Sequence, residues 1–140
     1  MVDLEIVQKR MALIRERLNI LKRHQSLTQG AYLQQRETQL IVEHALLIVI
    51  QSILDLGNHI LADQGIRDAT SYRDVILKLA EQKILAPSFA QSILPIAAFR
   101  NRLVHDYPDL DSKKVYELLQ TRLGDFEQWL ASVAKYCNLT

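Results

Sequence analysis

The chain has 140 residues, of which 49% are apolar and 24% charged, and it carries a formal net charge of +1. This size and composition predict a single globular domain spanning residues 1–140, and they exclude a disordered chain. The small net charge excludes a long-range field toward nucleic acid, so any RNA contact has to come from a local basic patch.

Cysteine content and hydropathy favour a cytoplasmic protein. The single cysteine, Cys137, excludes an internal disulfide and fits a reducing compartment. Asp3 and Glu5 interrupt the N-terminal segment, so a signal peptide is not expected. The longest uninterrupted apolar run, residues 45–50, is far too short to cross a bilayer, and we expect no membrane contact.

The first half of the chain predicts two helices of different character. Apolar residues at spacings of three and four indicate an amphipathic helix that ends near His24, before a polar connection containing Gly30. Its apolar positions are Leu4, Val7, Met11, Ile14, Leu18 and Leu21. Residues 37–61 are apolar all round the helical wheel. A helix of that kind must be buried on every face, either at the centre of a bundle or partly against a second copy of the chain.

The second half contains several helix-boundary signals. Ser71 with Asp74 resembles a capping box, and Pro87 suits the first position of the next helix. Pro95 lies inside that helix and should kink it. Asp111 is a candidate N-cap for one last helix. The apolar positions of that helix are Val115, Leu118, Phe126, Leu130 and Val133.

The pattern as a whole predicts an all-α protein. No segment alternates with period two for long enough to indicate a strand, and the connections are short. The simplest packing is an antiparallel bundle of four or five helices. Gly-rich phosphate loops and Cys-x-x-Cys pairs are absent from the sequence, so nucleotide-loop and thiol chemistry have no support.

One polar stripe has two interpretations. Asp55, His59 and Asp63 recur at spacing four, with Asn58 beside them, and such a stripe is either a metal or second-shell site or a locally paired helix end. None of the four histidines follows an acidic residue at spacing three, as a di-metal bundle requires. We therefore favour the paired helix end and expect no metal.

The segment Arg100–Tyr107 holds the residues best suited to chemistry. It gathers two guanidinium groups, an imidazole and a phenol at the end of a helix that Pro108 stops. Such groups can hold a phosphodiester and move protons around it. From the residues alone we favour a structural cap, in which His105 interacts with the helix dipole and Arg100 pairs with Asp106 or Asp109.

The motif that Arg100, Asn101, His105 and Tyr107 form at the end of the penultimate long helix resembles that of the HEPN ribonuclease superfamily. More narrowly, it is similar to the R-x4-H-x-Y motif of HepT-like toxins, and the resemblance covers the chain in helix order and length. It implies a HEPN-like bundle that forms a homodimer, in which the two motifs face a shared cleft.

The resemblance also implies endoribonuclease activity that needs neither metal nor cofactor. In that chemistry the 2′-hydroxyl attacks the neighbouring phosphorus, which leaves a 2′,3′-cyclic phosphate and a 5′-hydroxyl. His105 would act as general base or acid, and Arg100 would stabilise the charge on the phosphorane. Asn101 would orient this pair or bind a phosphate oxygen, and Arg102 would contact the RNA backbone or face solvent. Transfer RNA is the candidate substrate by analogy.

By the same resemblance, Tyr107 is the site of silencing in a type VII-like toxin–antitoxin pair. A small MntA-like nucleotidyltransferase antitoxin would transfer AMP onto it within a hetero-oligomer, which places negative charge and bulk at a phosphate site. The competing interpretation is that Tyr107 packs against the turn before Pro108.

The sequence leaves open how Arg100 and His105 reach one cleft and whether the chain cuts RNA. On an ideal helix Arg100 and His105 point about 140° apart, so one chain lines a cleft with both only if its helix frays or bends. Two other functions remain. One is a HEPN-type module that binds nucleotide or a partner without cutting RNA, and the other is a plain helical interaction module.

Overall fold

The structure of the chain, a computed structural model, describes residues 2–105 and 107–139. Within these ranges its regular secondary structure is helical and includes no strand, which confirms the predicted all-α fold class. The seven α-helices there are α1 (Leu4–Arg23), α2 (Gln29–Gln34), α3 (Arg36–Asp63), α4 (Tyr72–Glu81), α5 (Pro87–His105), α6 (Ser112–Thr121) and α7 (Leu123–Tyr136). A short 3₁₀ helix, Tyr107–Asp109, joins α5 to α6.

The helix boundaries read from capping residues are confirmed. The Ser71 hydroxyl accepts a hydrogen bond from the Asp74 backbone N–H at 3.0 Å. The Asp74 carboxylate accepts in turn from the Thr70 backbone N–H at 3.0 Å. The Asp111 carboxylate accepts from the Lys113 N–H, also at 3.0 Å. The bonds to Ser71 and Asp111 each satisfy an orphan donor of a first helical turn and thereby fix where the helix begins.

Two parts of the secondary structure differ from the expectation. The polar connection after His24 contains the short helix α2, which Thr28 caps and which buries Tyr32. The segment after Asp111 is two helices, so the prediction of a single last helix is wrong. The helix is interrupted at Arg122, whose φ of −119° is not helical. The Arg122 guanidinium donates to the Ser92 carbonyl at 3.0 Å, so a tertiary contact holds the break.

The start of α1 is a smaller correction. Val7, Met11, Ile14, Leu18 and Leu21 are all buried, as their spacing predicts. Leu4 belongs to the same apolar series but is 43% exposed. It is the first residue of α1.

Helix α3 is the centre of the bundle. It packs against each of the other six α-helices of the described chain, which confirms the expectation for residues 37–61. By length and hydropathy alone it would pass as a membrane span, but 61% of its most apolar 18-residue window is buried inside the fold. That is the pattern of a core helix. Two large apolar residues of α3, Leu40 and Ile41, are nevertheless 43% and 48% exposed.

The directions of α4 and α5 place the end of α5 beside the N-terminal half of α3. Tyr72 contacts Gln51, and Val75 lies against Gly57 one turn further on, so α4 runs in the same direction as α3. The short connection 82–86 sends α5 back along both helices. Because Arg100 also contacts Gln51, the residues after it extend toward the exposed end of α3.

Gly57 is expected to be intolerant of a side chain because α3, α4 and α7 meet there. A Cβ atom at this position would lie 2.9 Å from Leu79 Cδ1 and 3.1 Å from the Trp129 ring. Overpacking of this kind costs about 1–3 kcal/mol, of which helix propensity returns up to about 1. We expect Gly57→Ala to lower the free energy of unfolding by ~1–2 kcal/mol in urea denaturation.

Gly124 provides the matched control for that substitution. It lies in the first turn of α7, and a Cβ there would meet nothing within 4 Å. Gly124→Ala should therefore leave the free energy of unfolding unchanged or raise it by up to about 1 kcal/mol. Equal effects at the two positions would contradict the close helix packing at Gly57.

Candidate active site

Arg100 is held in a fixed orientation by three side chains. Its Nε donates to Gln51 Oε1 at 2.7 Å, across from α5 to α3. Its guanidinium carbon lies 5.1 Å from the centroid of the Tyr72 ring on α4. One terminal nitrogen donates to Asn101 Oδ1 at 3.1 Å. The side chain is half-buried, so it is anchored from below and still reachable from solvent.

Gln51 connects Arg100 to further polar residues. Its Nε2 donates to Asp55 Oδ1 and to the Tyr72 hydroxyl, both at 2.9 Å. The other oxygen of Asp55 lies 3.9 Å from the Arg10 guanidinium on α1. Residues from four helices thus form one network that ends at Arg100.

Gln51, Tyr72 and Arg10 were not among the residues predicted for the site. Gln51 and Asp55 are separated by four residues on one face of an otherwise apolar helix, and that spacing was the available signal. Tyr72 and Arg10 come from other helices and only the tertiary structure brings them here.

None of the described aspartates pairs with Arg100, whose acceptors are the neutral side chains Gln51 and Asn101. Of the two candidate partners in a helix-capping ion pair, Asp109 does not pair with Arg100, and Asp106 lies outside the described residues. The hydrogen bond from Arg100 to Asn101 is compatible with the predicted orienting role of Asn101, which stays a prediction.

His105 is exposed and is the last residue of α5. Since α5 remains helical through this position, Arg100 and His105 point about 140° apart. Arg100 turns inward toward α3 and α4, whereas His105 faces solvent. A single chain does not bring the two side chains onto one face.

Arg102 lies on another face of α5, about 160° from Arg100 around the helix. It lines an open groove of about 390 Å³ between α5 and α6, with Lys114 beside it and Phe99 among the apolar lining residues. Arg102 therefore belongs to a surface separate from that of Arg100, and its predicted contact with the RNA backbone stays a prediction.

Three more of the predicted residues lie at separate places in the fold. Tyr107 lies at the start of the 3₁₀ helix, and its side chain lies outside the described residues. Asp55 joins the Arg100 network, and Asp63 accepts a hydrogen bond from the Tyr136 hydroxyl at 3.2 Å. Asp55 and Asp63 thus turn to different partners. Across residues 2–105 and 107–139, no group of three metal-binding side chains is arranged around one point.

A second polar cluster lies at the start of α3 and is structural. Glu43 is only 3% exposed and pairs with Arg36 at 3.3 Å. Gln39 donates to the Tyr32 carbonyl at 2.9 Å and so fastens α2 to α3. Burial raises the pKa of Tyr32 far above its ordinary value, and the negative charge of Glu43 adds to that shift. Tyr32 therefore stays protonated and does not serve as an acid or base near neutral pH.

Comparison with known proteins identifies the family. A family model described as "Ribonuclease HepT-like" matches residues 14–133, which include the whole Arg100–Tyr107 segment. The chain belongs to the HepT-like ribonuclease family. A curated relative, the tRNA nuclease HepT of Aphanizomenon flos-aquae, is 31% identical over 133 residues, which cover 94% of this chain and 89% of that protein. The mRNA nuclease HepT of Shewanella oneidensis is 30% identical over 57% of this chain and 60% of its own length.

Solved structures share the HepT-like fold of this chain. The tri-AMPylated HEPN toxin of Shewanella oneidensis, solved in complex with its MNT antitoxin, is similar with a TM-score of 0.84 at 24% identity, over 96% of this chain and 99% of that one. YutE of Bacillus subtilis, a cytosolic protein, is similar with a TM-score of 0.85 at 23% identity, over 98% of this chain and 92% of that one. The resemblance to the HepT-like family that the motif predicted is thus confirmed.

Proposed function

We propose that this HepT-like chain is a metal-independent endoribonuclease and the toxin of a type VII-like toxin–antitoxin pair. Family membership, the nuclease names of the relatives and the toxin–antitoxin complex of a structural neighbour support the proposal. The observation that carries it is the fixed guanidinium of Arg100, which bonds to neutral side chains within one turn and a half of the exposed imidazole of His105.

The reaction we propose is an internal transesterification of RNA. The 2′-hydroxyl oxygen bonds to the adjacent phosphorus while its proton passes to a base. The bond from phosphorus to the 5′-oxygen then breaks, and that oxygen takes a proton from an acid. The products are a 2′,3′-cyclic phosphate and a 5′-hydroxyl, and the step consumes no water and needs no cofactor.

His105 and Arg100 match the two demands of this step. An imidazole both accepts and donates a proton near neutral pH, so His105 serves the proton transfer. The guanidinium of Arg100 is planar and permanently charged, and it stabilises the negative charge that builds on the phosphorane oxygens. Asn101 accepts a hydrogen bond from Arg100 and orients it. Arg102 and Lys114, on the other side of α5, would contact the RNA backbone only where the strand wraps around that helix.

A homodimer resolves the divergence of Arg100 and His105 within one chain. The face of α3 that carries Gln51 continues toward its N-terminus as Ile48, His44 and Ile41, at alternating spacings of three and four. Ile41 and its neighbour Leu40 are 48% and 43% exposed, and an apolar surface of this kind is typical of a protein interface. The end of α5 extends toward this stripe, and Val104 beside His105 is also 40% exposed.

If two chains pack through this α3 stripe, the two-fold axis runs beside the ends of both α5 helices. An isologous contact presents the same patch from each chain. His105 of one protomer would then face the cleft that holds Arg100 of the other, which gives one composite site at each of two equivalent positions.

The direct test is cleavage of total bacterial RNA by the purified chain in excess chelator, with mapping of the product ends. Cleavage that leaves cyclic phosphate and 5′-hydroxyl ends supports the proposal. Intact RNA under these conditions would favour a HEPN-type module that binds nucleotide or a partner without cutting. Cleavage that stops when chelator is added would overturn the metal-independent mechanism.

Tyr107 is the residue at which we propose that an MntA-like nucleotidyltransferase antitoxin silences the toxin in the cytoplasm. AMP on Tyr107 brings phosphate charge and bulk next to a cation that binds phosphate, so it competes with RNA for Arg100. After incubation with the antitoxin and ATP, we expect the intact mass to rise by one or more AMP units and RNA cleavage to be lost.

The control for that prediction is a second tyrosine. Tyr107→Phe should take up no AMP, whereas Tyr136→Phe should be modified like the unaltered chain, because Tyr136 is on α7 and bonds to Asp63. Peptide mapping of the modified protein locates the addition. AMP on any residue other than Tyr107 would exclude this silencing mechanism.

A further inference from the structure

We propose that Gln51 is a positioning residue for Arg100. Its neutral amide fixes the guanidinium in place and leaves the positive charge uncompensated, so that this charge is available to a phosphate. The inference rests on the proposed ribonuclease function and deepens it. Gln51 lies outside the Arg100–Tyr107 segment, 49 residues before Arg100 in the chain.

The contacts of Arg100 leave its phosphate-binding edge available. Nε, on the inner edge of the guanidinium, is occupied by Gln51 Oε1 at 2.7 Å. Asn101 takes one N–H of a terminal nitrogen at 3.1 Å. The other N–H groups of the terminal nitrogens have no partner among the described residues. They form the planar fork that binds two oxygens of one phosphate.

The network separates Arg100 from the nearest carboxylate. Asp55 lies one turn beyond Gln51 on the same face of α3, within reach of the same amide. Gln51 receives the guanidinium with its oxygen and gives its two N–H groups to Asp55 and Tyr72. Only this orientation of the amide matches a donor on one side and acceptors on the other. Asp55 is further balanced by Arg10, at 3.9 Å.

A carboxylate at position 51 would hold Arg100 equally well but would compensate the positive charge of its guanidinium. An arginine paired to a carboxylate has much of its charge compensated before the phosphorane forms, so it stabilises that transition state less. The amide supplies the geometry without this compensation. Tyr72 adds a second restraint, because its ring lies under the guanidinium while its hydroxyl accepts from Gln51.

The first measurement compares three variants with the unaltered protein in RNA cleavage. We expect Gln51→Glu and Gln51→Met to lower kcat by about 10- to 100-fold, with a smaller change in KM, because the stabilised charge develops in the transition state. The control is Gln120→Glu. Gln120 also bonds through its side chain, to the Gln25 carbonyl, but it is on α6, and its variant should cleave normally.

The double variant Gln51→Glu/Asp55→Asn distinguishes positioning of charge from simple structural support. It keeps the network's total charge and its hydrogen-bonding groups, and only moves the carboxylate next to Arg100. If Gln51 matters because it is neutral, the double variant stays as impaired as Gln51→Glu. Recovery to the unaltered kcat would show that only the charge balance of the network matters, and would overturn the proposal.

The second measurement does not depend on ribonuclease activity. The Nε–H resonance of Arg100, assigned by its loss in Arg100→Lys, should exchange slowly with water and shift when inorganic phosphate is added. In Gln51→Met the exchange should become fast, and in Gln51→Glu the exchange should stay slow while the phosphate-induced shift becomes smaller. RNA cleavage with fast exchange in the unaltered chain would overturn the role of Gln51 and leave the function standing. The reverse result, slow exchange and phosphate binding without cleavage, would reject the function and keep the role of Gln51.

Discussion

Replacing His105 with alanine is expected to lower the rate of RNA cleavage by about 10²- to 10⁴-fold, the usual contribution of a general acid or base. The residue ends α5 with its side chain in solvent. Its loss should therefore change the free energy of unfolding by no more than ~0.5 kcal/mol. A large loss of rate in a protein of unchanged stability is the signature of a catalytic group and not of a helix cap.

The measurement is initial-rate cleavage of total RNA together with urea denaturation of the same samples. Gln91→Ala is the matched control, since Gln91 is an exposed polar residue of the same helix, far from its C-terminal end. In a bacterial cell, expression of the unaltered chain should arrest growth and His105→Ala should not. If the variant cleaves RNA at the original rate but unfolds more easily, His105 is a structural cap and the proposed ribonuclease mechanism is wrong.

Much of the fold follows from local rules that the sequence displays directly. The capping residues Ser71 and Asp111 fix helix starts because their side chains bond to backbone groups only a few residues away. Residues 37–61 are apolar on every face of the helix, and a helix of that composition has to be buried, which identifies the central helix. These features need no knowledge of distant contacts.

The break at Arg122 and the helix α2 were beyond such rules. Leu119, Leu123 and Phe126 are all buried, and the apolar spacing continues smoothly across the break, so periodicity alone favours one helix. The break is stabilised by the hydrogen bond from Arg122 to Ser92 on α5, and such a tertiary contact does not show in the local sequence. Helix α2 has six residues, which is too short for a periodic pattern to develop.

The candidate site has one part that the sequence displays and one part that depends on tertiary packing. The motif from Arg100 to Tyr107 is contiguous, so the sequence displays it. The residues that orient Arg100 come from α3 and α4, and their role depends on how those helices pack against α5. The motif itself spreads Arg100 and His105 about 140° apart on a helix that continues through His105. The composite site that we propose therefore needs a second chain, whose position one sequence does not display.

A mixture of two inactive variants should therefore recover activity. In a composite site, the heterodimer of Arg100→Ala with His105→Ala has one position that holds both residues and one that holds neither. Random exchange makes about half of the dimers mixed, each with one working site of two, so the mixture should reach about a quarter of the unaltered rate. The assay is RNA cleavage after the two proteins are co-expressed, or mixed under conditions that let subunits exchange.

Three controls accompany the mixing experiment. The double variant Arg100→Ala/His105→Ala mixed with the unaltered chain forms heterodimers in which each composite position lacks one residue, so those heterodimers should contribute nothing. Ile41→Glu, in the exposed stripe of α3, should yield monomers by light scattering and abolish cleavage, because a charge buried in an apolar contact is left unpaired. Leu4→Glu alters a similarly exposed apolar residue on α1 and should remain dimeric and active.

The mixing experiment also decides where the proton transfer takes place. If Arg100 and His105 served the same phosphate from one chain, every heterodimer would lack one residue at each site, and the mixture would be as inactive as its components. Recovery is possible only when the imidazole of one protomer meets the guanidinium of the other. The regular helix through His105 makes that arrangement the one in which both side chains reach a single phosphate without unwinding α5.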